Sequence, residues 1–95
     1  AILRATAVYN EVEPVNIATG LGISILDLAK LIKDVVGFEG ELVCNTTKSD
    51  GALKKPFGIR KMKEKIGWVP ITTLVEGVKE TVEWFKNNYE YAIEL

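Results

Sequence analysis

Histidine is absent from the 95 residues, and cysteine occurs once, as Cys44. The first absence removes the commonest neutral-pH general base and metal ligand. The second excludes an internal disulfide and a multi-thiolate zinc site. No apolar run approaches the roughly 20 residues that span a bilayer. The opening AILR is no signal peptide, because Arg4 interrupts a run already too short. Neither sign of charge dominates: 12 Lys and Arg against 13 Asp and Glu leave a net charge of −1. No overall field therefore calls for nucleic acid or a membrane surface, and a cytoplasmic protein is the default expectation. An initiator methionine is missing too. AILRATAVY carries helical spacing from its first residue, with Ile2, Thr6 and Tyr9 on one face and no cap before them. The expectation is that Ala1 lies inside a truncated helix and that residues 1–14 are its end and a connection.

What is present is ordinary for a folded protein, 47% hydrophobic and 26% charged. The length allows one domain or part of one. Its most informative stretch is VNIATGLGISILDLAKLIKDVV, Val15 to Val36. Val15-Asn16-Ile17 has β-branched residues at both apolar positions and suits a short buried strand. Gly20 and Gly22 fall in the turn after it. A phosphate-loop reading of that turn fails, since neither the full Rossmann glycine spacing nor a Walker lysine is there. Ser24 is a good N-cap with Asp27 in the first turn. Behind it Ile25, Leu28, Ala29, Ile32, Val35 and Val36 repeat at three–four spacing, and Gly37 supplies a left-handed stop. Glu41 to Asn45 reads as a second strand with Leu42 and Cys44 facing inward. The fold class expected is thus α/β, a small lobe with a few short strands and three to four helices.

Charge collects between Lys48 and Lys65. Seven cations (Lys48, Lys54, Lys55, Arg60, Lys61, Lys63, Lys65) meet only Asp50 and Glu64, so this stretch is +5 and the rest of the chain −6. Lys48-Ser49-Asp50-Gly51 is a turn signal, and Pro56 and Gly58 are further breakers. A basic loop beside a short helix can hold a diphosphate through charge and backbone amides; it can equally be a solvated face. A nucleic-acid patch would need interleaved aromatics, and Phe57 stands alone. Ile59, Met62 and Ile66 then line one side of a short helix that Gly67 ends. Thr73 and Glu76 make a capping box for a last helix, whose stripe is Leu74, Val78, Val82 and Phe85 with Trp84 at its edge. Gly77 inside that helix costs about 1 kcal/mol relative to alanine, which points to close packing there. Trp68 and Trp84 read as structural.

Three of these stretches, in this order, carry a resemblance: VNIATGLGISILDLAKLIKDVVGFEGELV, TKSDGALKK and KIGWVPITTLVEGVKETVEWF. Together they resemble the C-terminal part of extended short-chain dehydrogenases/reductases acting on nucleotide sugars, above all GDP-L-fucose synthases and related epimerases. In that family the corresponding pieces read N-I-G-x-G before a capped helix, K-P-D-G-T-P-R-K, and L-G-W before an S-L-x-E-G-L helix. The resemblance implies that residues 15–95 form a substrate-binding lobe of a larger Rossmann-type enzyme. It implies NAD or NADP in the whole enzyme, bound by an N-terminal Rossmann domain outside this chain and not by this stretch itself. It implies a nucleotide-diphosphate sugar as ligand, and a homodimer formed through Rossmann-domain helices. Site residues transferred from the family loop are Lys48, Asp50, Gly51, Lys54 and Lys55. The chain departs from the pattern at several positions. Lys54 replaces a planar bidentate arginine with a point charge, Ala52-Leu53 replaces Thr-Pro, Gly58 replaces a helix-capping aspartate, and Ala18 replaces the first glycine of the turn.

Catalytic residues are missing. The family's Tyr-x-x-x-Lys pair has no counterpart, because Tyr9 is followed at that distance by Glu13, Tyr89 by Ile93 and Tyr91 by Leu95. Two readings remain: a substrate-binding lobe of an NAD(P)-dependent epimerase or reductase, inactive alone, or a non-catalytic module that binds an anionic ligand or a partner protein.

Overall fold

The computed structural model describes residues 1–49 and 57–94. They fall into two units, residues 1–22 with 57–71, and residues 23–49 with 72–94.

In the first unit, helix α1 (Ile2–Val8) packs against a π-helical turn, Met62–Ile66. Ala1 stands at the N-cap of α1 and, having no side-chain oxygen, makes no capping bond. Tyr9 leaves the helix in extended conformation. Met62 and Ile66, four residues apart on one side of the π turn, are the fully buried side chains among the described residues, at 0% and 1% exposure. Their burial follows from the Ile59–Met62–Ile66 spacing. Gly67 ends the turn at φ 63°, a left-handed conformation that costs glycine least. Gly20, at φ +77°, lies against Ile59: a Cβ there would come within 2.9 Å of Ile59 Cδ1.

The second unit holds α2 (Ile25–Val36), α3 (Leu74–Asn87) and α4 (Tyr89–Ile93), with α2 packed on α3 and α3 on α4. Helix α2 begins where the Asp27 N–H donates to Ser24 Oγ (3.0 Å). It closes with the N–H groups of Gly37 and Phe38 both donating to the Lys33 carbonyl (3.0 Å each), a Schellman-type ending that needs Gly37 at φ 75°. The capping box of α3 is complete: Thr73 N–H and Oγ1–H donate to Glu76 Oε2 (2.8 and 2.7 Å), and the Glu76 N–H donates back to Thr73 Oγ1 (3.2 Å). Phe85 and Tyr89 meet edge to face, centroids 5.5 Å apart, across the α3–α4 junction.

The expected α/β class is overturned. Among the described residues there is no strand, and the fold is helical. Val15–Ile17 and residues 41–45 are indeed non-helical, but a strand exists only as half of a hydrogen-bonded ladder. No backbone hydrogen bond joins either segment to a distant one among the described residues. Without a sheet there is no alternation of inward and outward faces, so Cys44, expected inside, is exposed. The apolar stripes are less covered than their spacing promised. On α2, Leu28, Ala29, Leu31 and Val35 are half-buried, whereas Ile25 is 77% exposed. On α3, Val78 and Val82 are half-buried, and Leu74, Trp84 and Phe85 are exposed. Close packing at Gly77 is absent as well. A methyl there would meet Thr72 Cγ2 at 3.9 Å, an ordinary contact, and nothing in the structure explains this glycine.

Candidate functional site

The residues assigned to the site by resemblance divide sharply. Asp50, Gly51, Lys54 and Lys55 lie outside the described residues. Lys48 is exposed, in a turn of the second unit. That turn is built by Asn45, whose Oδ1 accepts from the Thr47 N–H (3.1 Å) and hydroxyl (2.7 Å), an Asx turn in which a short amide side chain mimics a backbone carbonyl. The Lys48 N–H closes it on the Asn45 carbonyl at 3.4 Å.

The other cations of the basic stretch belong to the first unit, and two of them are already neutralised. Lys61 Nζ donates to Glu13 Oε2 (3.1 Å) and to the Pro14 carbonyl (3.2 Å). It also sits 5.7 Å from the centre of the Tyr9 ring, within cation–π range. Lys65 Nζ pairs with Glu11 Oε1 at 2.8 Å. Beside them Arg4 Nε donates to the Ile66 carbonyl (3.2 Å), one of the carbonyls the ending turn leaves free, and Tyr9 Oη donates to the Glu13 carbonyl (2.5 Å).

These contacts form an antiparallel ladder. The two lysines are four residues apart on a helical turn, about 6 Å along its axis at an α-helical rise. The two glutamates are two residues apart on a non-helical segment, about 6–7 Å if it is extended. The spacings match, so Glu11 meets Lys65 while Glu13 meets Lys61. The electrostatics follow. Lys65 holds the Glu11 carboxyl below its usual range, and Glu11 in turn raises the Lys65 ammonium. Lys61 is raised by the Tyr9 phenol first and the Glu13 carboxylate second. Both pairs are partly solvated and contribute little individually; together with Arg4 they orient the segment that follows α1.

For anion binding, the ladder subtracts Lys61 and Lys65 from the seven cations of the stretch. Among the described residues, Lys48, Arg60 and Lys63 carry no carboxylate partner. A groove between α2 and α3, lined by Asp34, Val35, Lys79, Val82, Glu83 and Lys86, mixes both signs of charge and offers no concentrated positive face to a diphosphate. Among the described residues no His, Cys, Asp or Glu cluster could hold a metal ion, and no helix is long and apolar enough to cross a membrane. Sequence reasoning missed Arg4, Tyr9, Glu11 and Glu13. The signal available was an acidic doublet at spacing two to match a lysine doublet at spacing four.

Comparison with known proteins locates the chain. It is 41% identical over 80 residues, 84% of its length, to the putative GDP-L-fucose synthase 2 of Arabidopsis thaliana. It is 36% identical over 86 residues to the GDP-L-fucose synthase of Dictyostelium discoideum. Over this stretch the chain is similar to GDP-L-fucose synthases. A putative UDP-glucose 4-epimerase of Methanocaldococcus jannaschii is 38% identical over 76 residues, so the similarity extends to epimerases of other nucleotide sugars. The chain spans about a quarter of these relatives, 24% of the Arabidopsis protein, 27% of the Dictyostelium protein and 25% of the archaeal one. No protein-family model and no solved structure matches it. The K-x-D-G piece falls on residues 48–51, of which Asp50 and Gly51 lie outside the described residues.

Proposed function

We propose that residues 15–95 are the substrate-binding lobe of an NAD(P)-dependent nucleotide-sugar epimerase/reductase of the GDP-L-fucose synthase type. The observation that carries this reading is the 41% identity over 80 residues to a GDP-L-fucose synthase, together with the three motif stretches in family order. In this reading Lys48, Asp50, Gly51, Lys54 and Lys55 enclose a nucleotide-diphosphate sugar, with the lysines neutralising its diphosphate as point charges. The cofactor, NAD or NADP, is held by an N-terminal Rossmann domain, and this lobe supplies no group to hydride or proton transfer. The apolar surface supports the same reading. Ile2 and Leu3, adjacent on α1, are 80% and 88% exposed, apolar side chains that a contact with another body would cover. The rest of a family-length chain is the natural cover.

The test uses the complete enzyme that carries these residues. Charge reversal at both loop lysines, K54E/K55E, removes two charge-assisted contacts of about 1.5–3 kcal/mol each. The KM for the nucleotide sugar then rises at least tenfold while NAD(P) affinity stays constant. Unchanged affinity for the nucleotide sugar refutes the assignment. A parallel loss of NAD(P) affinity shows misfolding instead, and K54R/K55R separates the two by restoring charge.

A further inference from the structure

We draw no further inference here: the strongest candidate, the exposed apolar faces of α1 and of the α2–α3 pair, has nothing in the structure to say what covers it beyond the rest of a family-length chain, which the proposed function already invokes.

Discussion

Truncating Met62 to alanine tests the claim that the π turn carries the core of the first unit. The side chain is fully buried, and removing a buried methionine costs about 2–5 kcal/mol, set by how far the site collapses. This core is small and bordered by half-buried neighbours, so it relaxes readily and the lower end applies, about 2–3 kcal/mol. With a urea m-value of about 1.5 kcal/mol/M, that loss moves the unfolding midpoint down by about 1.3–2 M. Met62→Leu nearly conserves volume and loses less than about 1.5 kcal/mol. Ile71, 90% exposed in the same unit, is the control, and Ile71→Ala stays within about 0.5 kcal/mol. The chain has two tryptophans, Trp68 in the first unit and Trp84 in the second. In a Trp84→Phe background, Trp68 fluorescence therefore reports the first unit alone. If Met62→Ala shifts the midpoint no further than Ile71→Ala, the burial argument is wrong.

Three further outcomes follow from local geometry. Ala at Gly37, where nothing lies within 4 Å of the added methyl, incurs only the left-handed backbone penalty of about 1–2 kcal/mol; Ala at Gly20, also at positive φ, in addition displaces the Ile59 side chain and costs at least as much, and a smaller loss at Gly20 would contradict this. Thr73→Ala removes the α3 cap and costs about 0.5–2 kcal/mol. The Thr73 hydroxyl and N–H hold Glu76 below its usual carboxyl range, so its contribution is present above the unfolded carboxyl pKa and is lost as pH falls through the lowered value. Circular dichroism from pH 7 to 3 should show the helix signal falling at the acid end, with the Glu76-dependent part absent in Glu76→Gln. For the ladder, raising salt from 0.05 to about 1 M shortens the screening length to about 3 Å. Thermal unfolding of wild type should respond to salt more than that of E11Q/E13Q, and identical salt responses would remove the ladder from the account.

Most of the helical frame was legible because its signals are local. Ser24 with Asp27, Gly37, and Thr73 with Glu76 each specify a helix end within four residues, and each stands where its chemistry puts it. The expected strands failed for the complementary reason. The β-branched pair Val15 and Ile17 describes a surface that would fit a sheet, but a ladder also needs a partner segment, and no local pattern supplies one. Exposure of Ile25 and Phe85 has the same origin: periodicity identifies which face is apolar and is silent on what lies against it. Within the basic stretch, counting charges could not reveal that Lys61 and Lys65 answer to carboxylates 48 and 54 positions earlier in the chain. The loop residues Asp50, Gly51, Lys54 and Lys55 were reached through resemblance alone.

The π turn constrains chain length more than composition. A π-helical turn is an α-helical one carrying a residue too many, retained where it serves a purpose. Here the surplus residue lies between the ladder's two rungs, in a turn that also seats Met62 and Ile66. Exchanging Lys63 or Glu64, both exposed, leaves every rung in place. Deleting either one returns the turn to α-helical winding and brings Lys65 to three residues after Lys61, about 4.5 Å along the axis rather than about 6 Å, so the rungs no longer match the glutamate spacing. Alignments of this segment should therefore tolerate substitutions at positions 63 and 64 and penalise gaps, so a relative one residue shorter here has had to find another way to tie down the chain after α1.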